Sequence, residues 1–129
     1  MNIGEAAKLS GVSAKMIRHY ESINLIKRSP RTGTGYRTYS ENDLHTLRFI
    51  RHSRSLGFAL DKIRDLLSLW QDPERASADV KFLAMSHVLE LDNKIKELTE
   101  MRNTLKCLVD ACAGNQRPDC PILEKLGKC

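Results

Sequence analysis

The chain is short of several things. It has 129 residues, of which only seven are aromatic: three Phe, three Tyr and one Trp. Its β-branched runs are short, so strands have little to build on and apolar spacings of three and four dominate, which predicts a mainly α fold. No stretch approaches 18 consecutive apolar residues, and the opening MNIGEAAKLS lacks the apolar core of a signal peptide. Those absences predict a cytoplasmic chain with no membrane partner, in a compartment where thiols stay reduced and structural disulfides are rare. No C-x-x-C is present, and no histidine lies at zinc-finger spacing from a cysteine pair, so a four-ligand structural zinc site within one chain has little support. The four histidines, His19, His45, His52 and His87, are scattered and pair with no nearby nucleophile, so the expectation is that the protein is not an enzyme.

What is present is unevenly spread. Residues 1–70 carry 12 Lys and Arg against 6 Asp and Glu, whereas residues 71–129 carry 9 against 10. A basic half joined to a near-neutral half suits a polyanion on one side and a different task on the other. Ile3, Ala6, Ala7 and Leu9 fit a short helix that stops at Ser10-Gly11. Ser13 can cap a second helix with Met16, Ile17 and Tyr20 on one face. Together they read as a helix-turn-helix over about residues 3–22. Pro30, Gly33 and Gly35 then break helix, and YRTYS alternates as a strand would, so residues 28–40 read as a small hairpin or wing. Ser40 caps a third helix, Gly57-Phe58 turns, and Leu60, Ile63, Leu66, Leu67 and Trp70 give a fourth, ended by Asp72-Pro73.

The second helix sets Lys15, Arg18 and His19 opposite its apolar face, where they suit phosphates and base edges of a major groove. The wing adds Arg31, Tyr36 and Arg37. Arg48, Arg51 and Arg54 recur every third residue as one stripe. Any one of these arginines could equally be a solvated surface residue; their combination with a capped helix and a wing points to DNA.

From Ser77 to Val109 there is neither Gly nor Pro. Val88, Leu91, Ile95, Leu98, Leu105 and Val109 keep a three-four spacing, interrupted at Arg102, on a helix of about 33 residues and about 50 Å. So long a helix has little in a small monomer to lie against, so a homodimer with a coiled-coil interface is expected; the alternative is a helix folded back on the N-terminal half. Asp79, Glu90, Glu97 and Glu100 read as its solvated face. The expected organisation is a DNA-binding domain over 1–70, a hinge over 71–76, a dimerisation helix over 77–110, and a metal-binding loop and tail over 111–129.

Four cysteines close the chain: Cys107, Cys112, Cys120 and Cys129. Cys107 falls on the long helix and reads as a packed thiol. Cys112 and Cys120 bracket a loop, AGNQRPD, with Gly114 and Pro118 at its turns and no histidine inside. Asp119, the loop's one carboxylate, reads as a turn or cap residue. Pro121 can open a short helix, ILEKL, whose positive N-terminus would lower the Cys120 thiol pKa. Two soft thiolates with nothing else suit a soft monovalent ion, Cu(I), Ag(I) or Au(I), in a linear site; Zn²⁺ or Co²⁺ would be left short of ligands. Two other classes of function could use the same thiols. One is a copper chaperone or storage protein, which would not need the basic half. The other is a thiol-based redox switch, against which the missing C-x-x-C counts.

The stretch IGEAAKLSGVSAKMIRHYESINLI, with RTGTGYRTYSENDLHTLRFIRHSRSLGFALDKIRDLL after it, resembles the winged helix-turn-helix of the MerR family of bacterial transcription regulators. The IRHYE helix, the GYRTY wing and the LGFAL turn carry the likeness. It continues through the long helix into the cysteine loop, near the copper-efflux-regulator branch. The resemblance implies DNA contacts from Lys15 and Arg18, and phosphate contacts from Tyr36, Arg37 and Arg54. It implies an antiparallel coiled coil in a homodimer, with the start of the partner's long helix beside the metal loop. It places Lys81 near the site as a counter-charge. It also sets Ser77 where divalent-metal branches carry a cysteine that completes a higher-coordinate site. Ala113 and Pro118 are more like gold-responsive relatives. In this family the dimer sits on promoter DNA with an unusually long spacer, and the metal-bound form distorts that DNA for RNA polymerase.

Overall fold

The computed structural model describes residues 1–27 and 38–127. Among the described residues six helices follow one another: α1 (Ile3–Ser10), α2 (Ala14–Ser22), α3 (Glu41–Ser55), α4 (Leu60–Gln71), α5 (Ser77–Ala111) and α6 (Pro121–Leu126). No strand occurs among the described residues. The expected wing lies outside them apart from Thr38–Ser40, as do its Arg31, Tyr36 and Arg37. The fold is the mainly α one expected, a helix-turn-helix followed by a long helix. The chain divides into two compact units, residues 1–80 and 81–129.

Local chemistry explains the first unit. The Asn2 side chain accepts from the Glu5 N–H and opens α1, and Gly11 closes it in the left-handed region at φ +77°. A Cβ on Gly11 would also lie 2.9 Å from Nε of Arg51, an exposed side chain free to shift, so it is the left-handed backbone that calls for glycine. Ser13 then accepts from the Met16 N–H at 3.2 Å and starts α2. Ser40 and Asp43 form a reciprocal capping box at the head of α3. Ala6, Ile17, Leu47, Ile50 and Ile63 are fully excluded from solvent, and Tyr20, Tyr39, Leu44 and Leu67 nearly so. Each large apolar side chain buried this way contributes about 1.5–3 kcal/mol. Phe49 stacks on Trp70 with ring centroids 4.6 Å apart, holding α4 to α3.

One expectation needs correction, and two arginines gain a second role. Arg48 and Arg51 are exposed, as the expected stripe requires, and both also lie against the end of α1. Arg48 donates to the carbonyl of Leu9 at 3.2 Å, at the carbonyl end of α1, and Arg51 lies over Gly11. Cys107 is exposed rather than packed, since its stretch of α5 lies outside any buried core of the chain.

In the second unit α5 carries almost no buried surface. Of its expected seam, Val88, Ile95, Leu98, Leu105 and Val109 are all more than half exposed, and Leu91 is 37% exposed. His87 is the one buried residue among those described here, with Nδ1 3.7 Å from Oε2 of Glu90. An open groove of about 570 Å³ runs between α5 and α6, walled by Met101, Leu105, Leu108 and Leu126.

Candidate metal centre and nucleic-acid interface

Helix α5 ends at Ala111, and the N–H of Cys112 still bonds to the Val109 carbonyl at 3.1 Å. The thiol of Cys112 is thereby fixed to the end of a long rigid element. Gly114 takes φ +64°, and the Asn115 side chain accepts from the Arg117 N–H at 2.9 Å, which turns the loop back. The chain arrives at Cys120, the N-cap of α6, with Pro121 at the first helical position as its fixed φ favours. The Sγ atoms of Cys112 and Cys120 lie 3.9 Å apart, both half-buried and both free thiols.

That separation allows one ion to touch both sulfurs. At a metal–sulfur bond of about 2.3 Å, a linear S–M–S unit spans about 4.6 Å and the edge of a tetrahedron about 3.8 Å. The distance alone therefore does not choose between them. No group of three or more His, Cys, Asp or Glu able to hold a metal ion occurs among the described residues of one chain. Asp119 is exposed. The Cys120 thiol pKa is lowered, above all by the backbone N–H of Leu123 at the head of α6. Burial opposes this, the Ile122 N–H and the Cys112 thiol assist it, and Glu124 works against it. Although no formal cap hydrogen bond forms, the sulfur sits where an N-cap side chain faces the free N–H groups of a first turn. The thiolate, which is the metal-binding form, is favoured there.

Ser77 opens α5 and Lys81 follows one turn later, both exposed. Lys81 is separated from Cys112 by nearly the whole of α5, about 47 Å at 1.5 Å per residue. Within one chain, Lys81 does not reach the thiols.

On α2, Lys15, Arg18 and His19 are exposed while Ile17 and Tyr20 are buried beneath them, so the basic face is open. Arg54 is exposed near the end of α3. Tyr36 and Arg37 lie outside the described residues. Several residues that shape this face carry no charge-pattern signal. Arg64, on α4, donates to the carbonyls of Ile23 at 2.8 Å and Asn24 at 2.9 Å, pinning the turn after α2 where Asn24 takes φ +58°. Glu21 is 1% exposed and accepts a hydrogen bond from the Tyr39 hydroxyl. Its place four residues after Ile17 was the available clue that it faces inward.

Comparison with known proteins bears on the whole chain. Residues 1–70 match the family described as MerR HTH family regulatory protein, and residues 44–108 match the one described as MerR, DNA binding. The chain is 56% identical over 126 residues to heavy metal-dependent transcription regulator 2 of Rhizobium meliloti, covering 98% of this chain and 86% of that one. It is 43% identical over 129 residues to the HTH-type transcriptional regulator CueR of Escherichia coli, covering 100% and 96%. Among solved structures, the transcription regulator PbrR691 from Ralstonia metallidurans, in complex with lead(II), superposes with a TM-score of 0.84 at 34% identity over 98% of both chains.

Proposed function

The chain belongs to the MerR family of helix-turn-helix transcriptional regulators, and we propose that it is a homodimeric, metal-responsive activator whose inducer is a soft monovalent ion held by Cys112 and Cys120. It is a regulator and not an enzyme. The observation that carries the reading is the pair of thiols 3.9 Å apart with no third metal-ligating side chain beside them among the described residues. Relatives named for heavy-metal dependence and for a lead(II) complex support a metal role. The donor set of this chain is what favours Cu(I), Ag(I) or Au(I) over a divalent ion.

The long helix supports a dimer, and its register supports a shared site. The seam Val88, Leu91, Ile95, Leu98, Arg102, Leu105, Val109 extends in the same three-four alternation back through Ala84 and Lys81 to Ser77 and forward to Cys112. Two such helices paired antiparallel about a two-fold axis near Ile95 set Ser77 of the partner subunit opposite Cys112. Lys81 of the partner subunit follows one turn away. One M⁺ with two thiolates carries a net −1, which is costly to enclose without a nearby cation. Lys81 and the head of α6 supply it, and Ser77 offers no third thiolate there. The groove beside Leu126 gives α6 an apolar bed along α5.

Lys15 and Arg18 would meet the operator through α2, with Tyr36, Arg37 and Arg54 on flanking phosphates. Metal at the loop would fix α6 and shift the dimer between a repressing and an activating shape, so that output depends on DNA shape rather than occupancy. The test is a gel shift with operator DNA beside in vitro transcription with RNA polymerase. Operator binding is expected with and without Cu(I), and transcription only with it. Release of the operator on metal addition would contradict the distortion mechanism.

A further inference from the structure

Tyr39 is bound to three elements at once. Its backbone N–H donates to the Met1 carbonyl at 2.8 Å and its carbonyl accepts from the Met1 nitrogen at 3.1 Å, which ties it to the foot of α1. Its hydroxyl donates to Oε1 of Glu21, in the last turn of α2. It directly precedes Ser40, whose side chain and backbone form the capping box with Asp43 at the head of α3. Both side chains of the pair are almost fully enclosed, Glu21 at 1% and Tyr39 at 2% exposure. A directional bond between enclosed polar groups has one favoured geometry and is costly to leave unmade, so it adds an angular constraint to that of the close-packed apolar core. Glu21 lies three residues after Arg18 on the same helix, so whatever fixes the rotation of Glu21 also fixes where Lys15 and Arg18 point.

We infer that the Glu21–Tyr39 hydrogen bond is a positioning pair that sets the rotation of α2 against α3, and so aims Lys15 and Arg18 at the base edges of the operator. The inference rests on the reading of α2 as the DNA-reading helix. A helix a few degrees off would still meet phosphates by charge, but its bidentate base contacts would fail first. The pair therefore governs discrimination between operator and unrelated DNA more than binding in general.

The test uses the full-length dimer and fluorescence anisotropy with operator DNA and a scrambled duplex at one fixed salt concentration. Tyr39→Phe is expected to cut the operator-to-scrambled affinity ratio roughly tenfold, with scrambled-DNA binding little changed. A second arm combines Tyr39→Phe with Arg18→Ala and, separately, with Arg54→Ala. Arg18→Ala should lose less operator affinity in the Tyr39→Phe background than alone, while Arg54→Ala on α3 should add independently. Independent addition for both, or equal coupling for both, would overturn the proposal, since the second pattern means general loosening. If Arg18→Ala alone changes nothing, the reading of α2 fails and the proposal falls with it. Should Tyr39→Phe not fold, Glu21→Leu with Tyr39→Phe, which replaces both partners by apolar groups, is the second variant, its folding checked by circular dichroism. That double variant should still lose the affinity ratio, and a parent-like ratio would overturn the proposal.

Discussion

The two units of this chain solve the same physical problem in opposite ways. Among the described residues of 1–80, eleven apolar side chains from Ala6 to Leu67 are buried in one cluster, and the helices around them are capped and braced. Within residues 81–127, no apolar side chain is buried, and ten large ones on α5, from Phe82 to Val109, remain exposed. The first unit has its interior inside the chain. The second displays an interior along one helix face, as half of an interface does before its other half is supplied. A self-contained N-terminal unit joined to a helix with an uncovered apolar face is what the proposed dimer would complete.

That contrast can be broken at several points. The largest effect is expected at the thiols: Cys112→Ser or Cys120→Ser should abolish metal-induced transcription from the target promoter, with operator affinity changed by less than about twofold (tens of percent lie within surface-substitution effects). Metal response retained in either variant would dismiss the site. Next comes the seam. Ile95→Asp should dissociate the dimer in sedimentation measurements and weaken operator binding by orders of magnitude, while the helices of residues 1–80 keep their circular dichroism. A stable dimer would remove α5 from the interface. Leu47→Ala should destabilise the first unit by about 2–5 kcal/mol in denaturant unfolding. Leu98→Ala, truncating a residue of similar size that is 61% exposed, should depend on protein concentration instead. The smallest effect is at a cap. Ser13→Ala removes the acceptor for the Met16 N–H and should cost about 1 kcal/mol, read as a small fall in the unfolding midpoint with no change in metal response.

Legibility in the sequence followed the range of the interactions. Caps are local, so Ser13 and Ser40 announced α2 and α3, and the positions of Gly11 and Pro121 marked one end and one beginning. The spacing of the seam announced α5, which runs to Ala111, slightly beyond its expected end. Cys112 and Cys120 stood out because a loop of turn formers between two thiols has few other uses. What stayed hidden depends on contacts between residues far apart in the chain. That Arg48 and Arg51 also lie against the end of α1 is visible only once the two helices are seen together. Glu21 and Tyr39 are 18 positions apart, and no periodicity links a buried acid to its hydroxyl donor. Cys107 reads as a packed thiol because cysteines usually are, yet its surroundings lie outside the chain's own core.

The most direct test of the two-thiolate reading is the promoter response of the intact regulator across Cu, Ag, Au, Zn and Hg salts, with the Cys112→Ser variant in parallel. Strong induction by the monovalent coinage metals, none by zinc, and no response in the variant is the expected result. A strong zinc response through the same thiols would contradict a two-coordinate monovalent site.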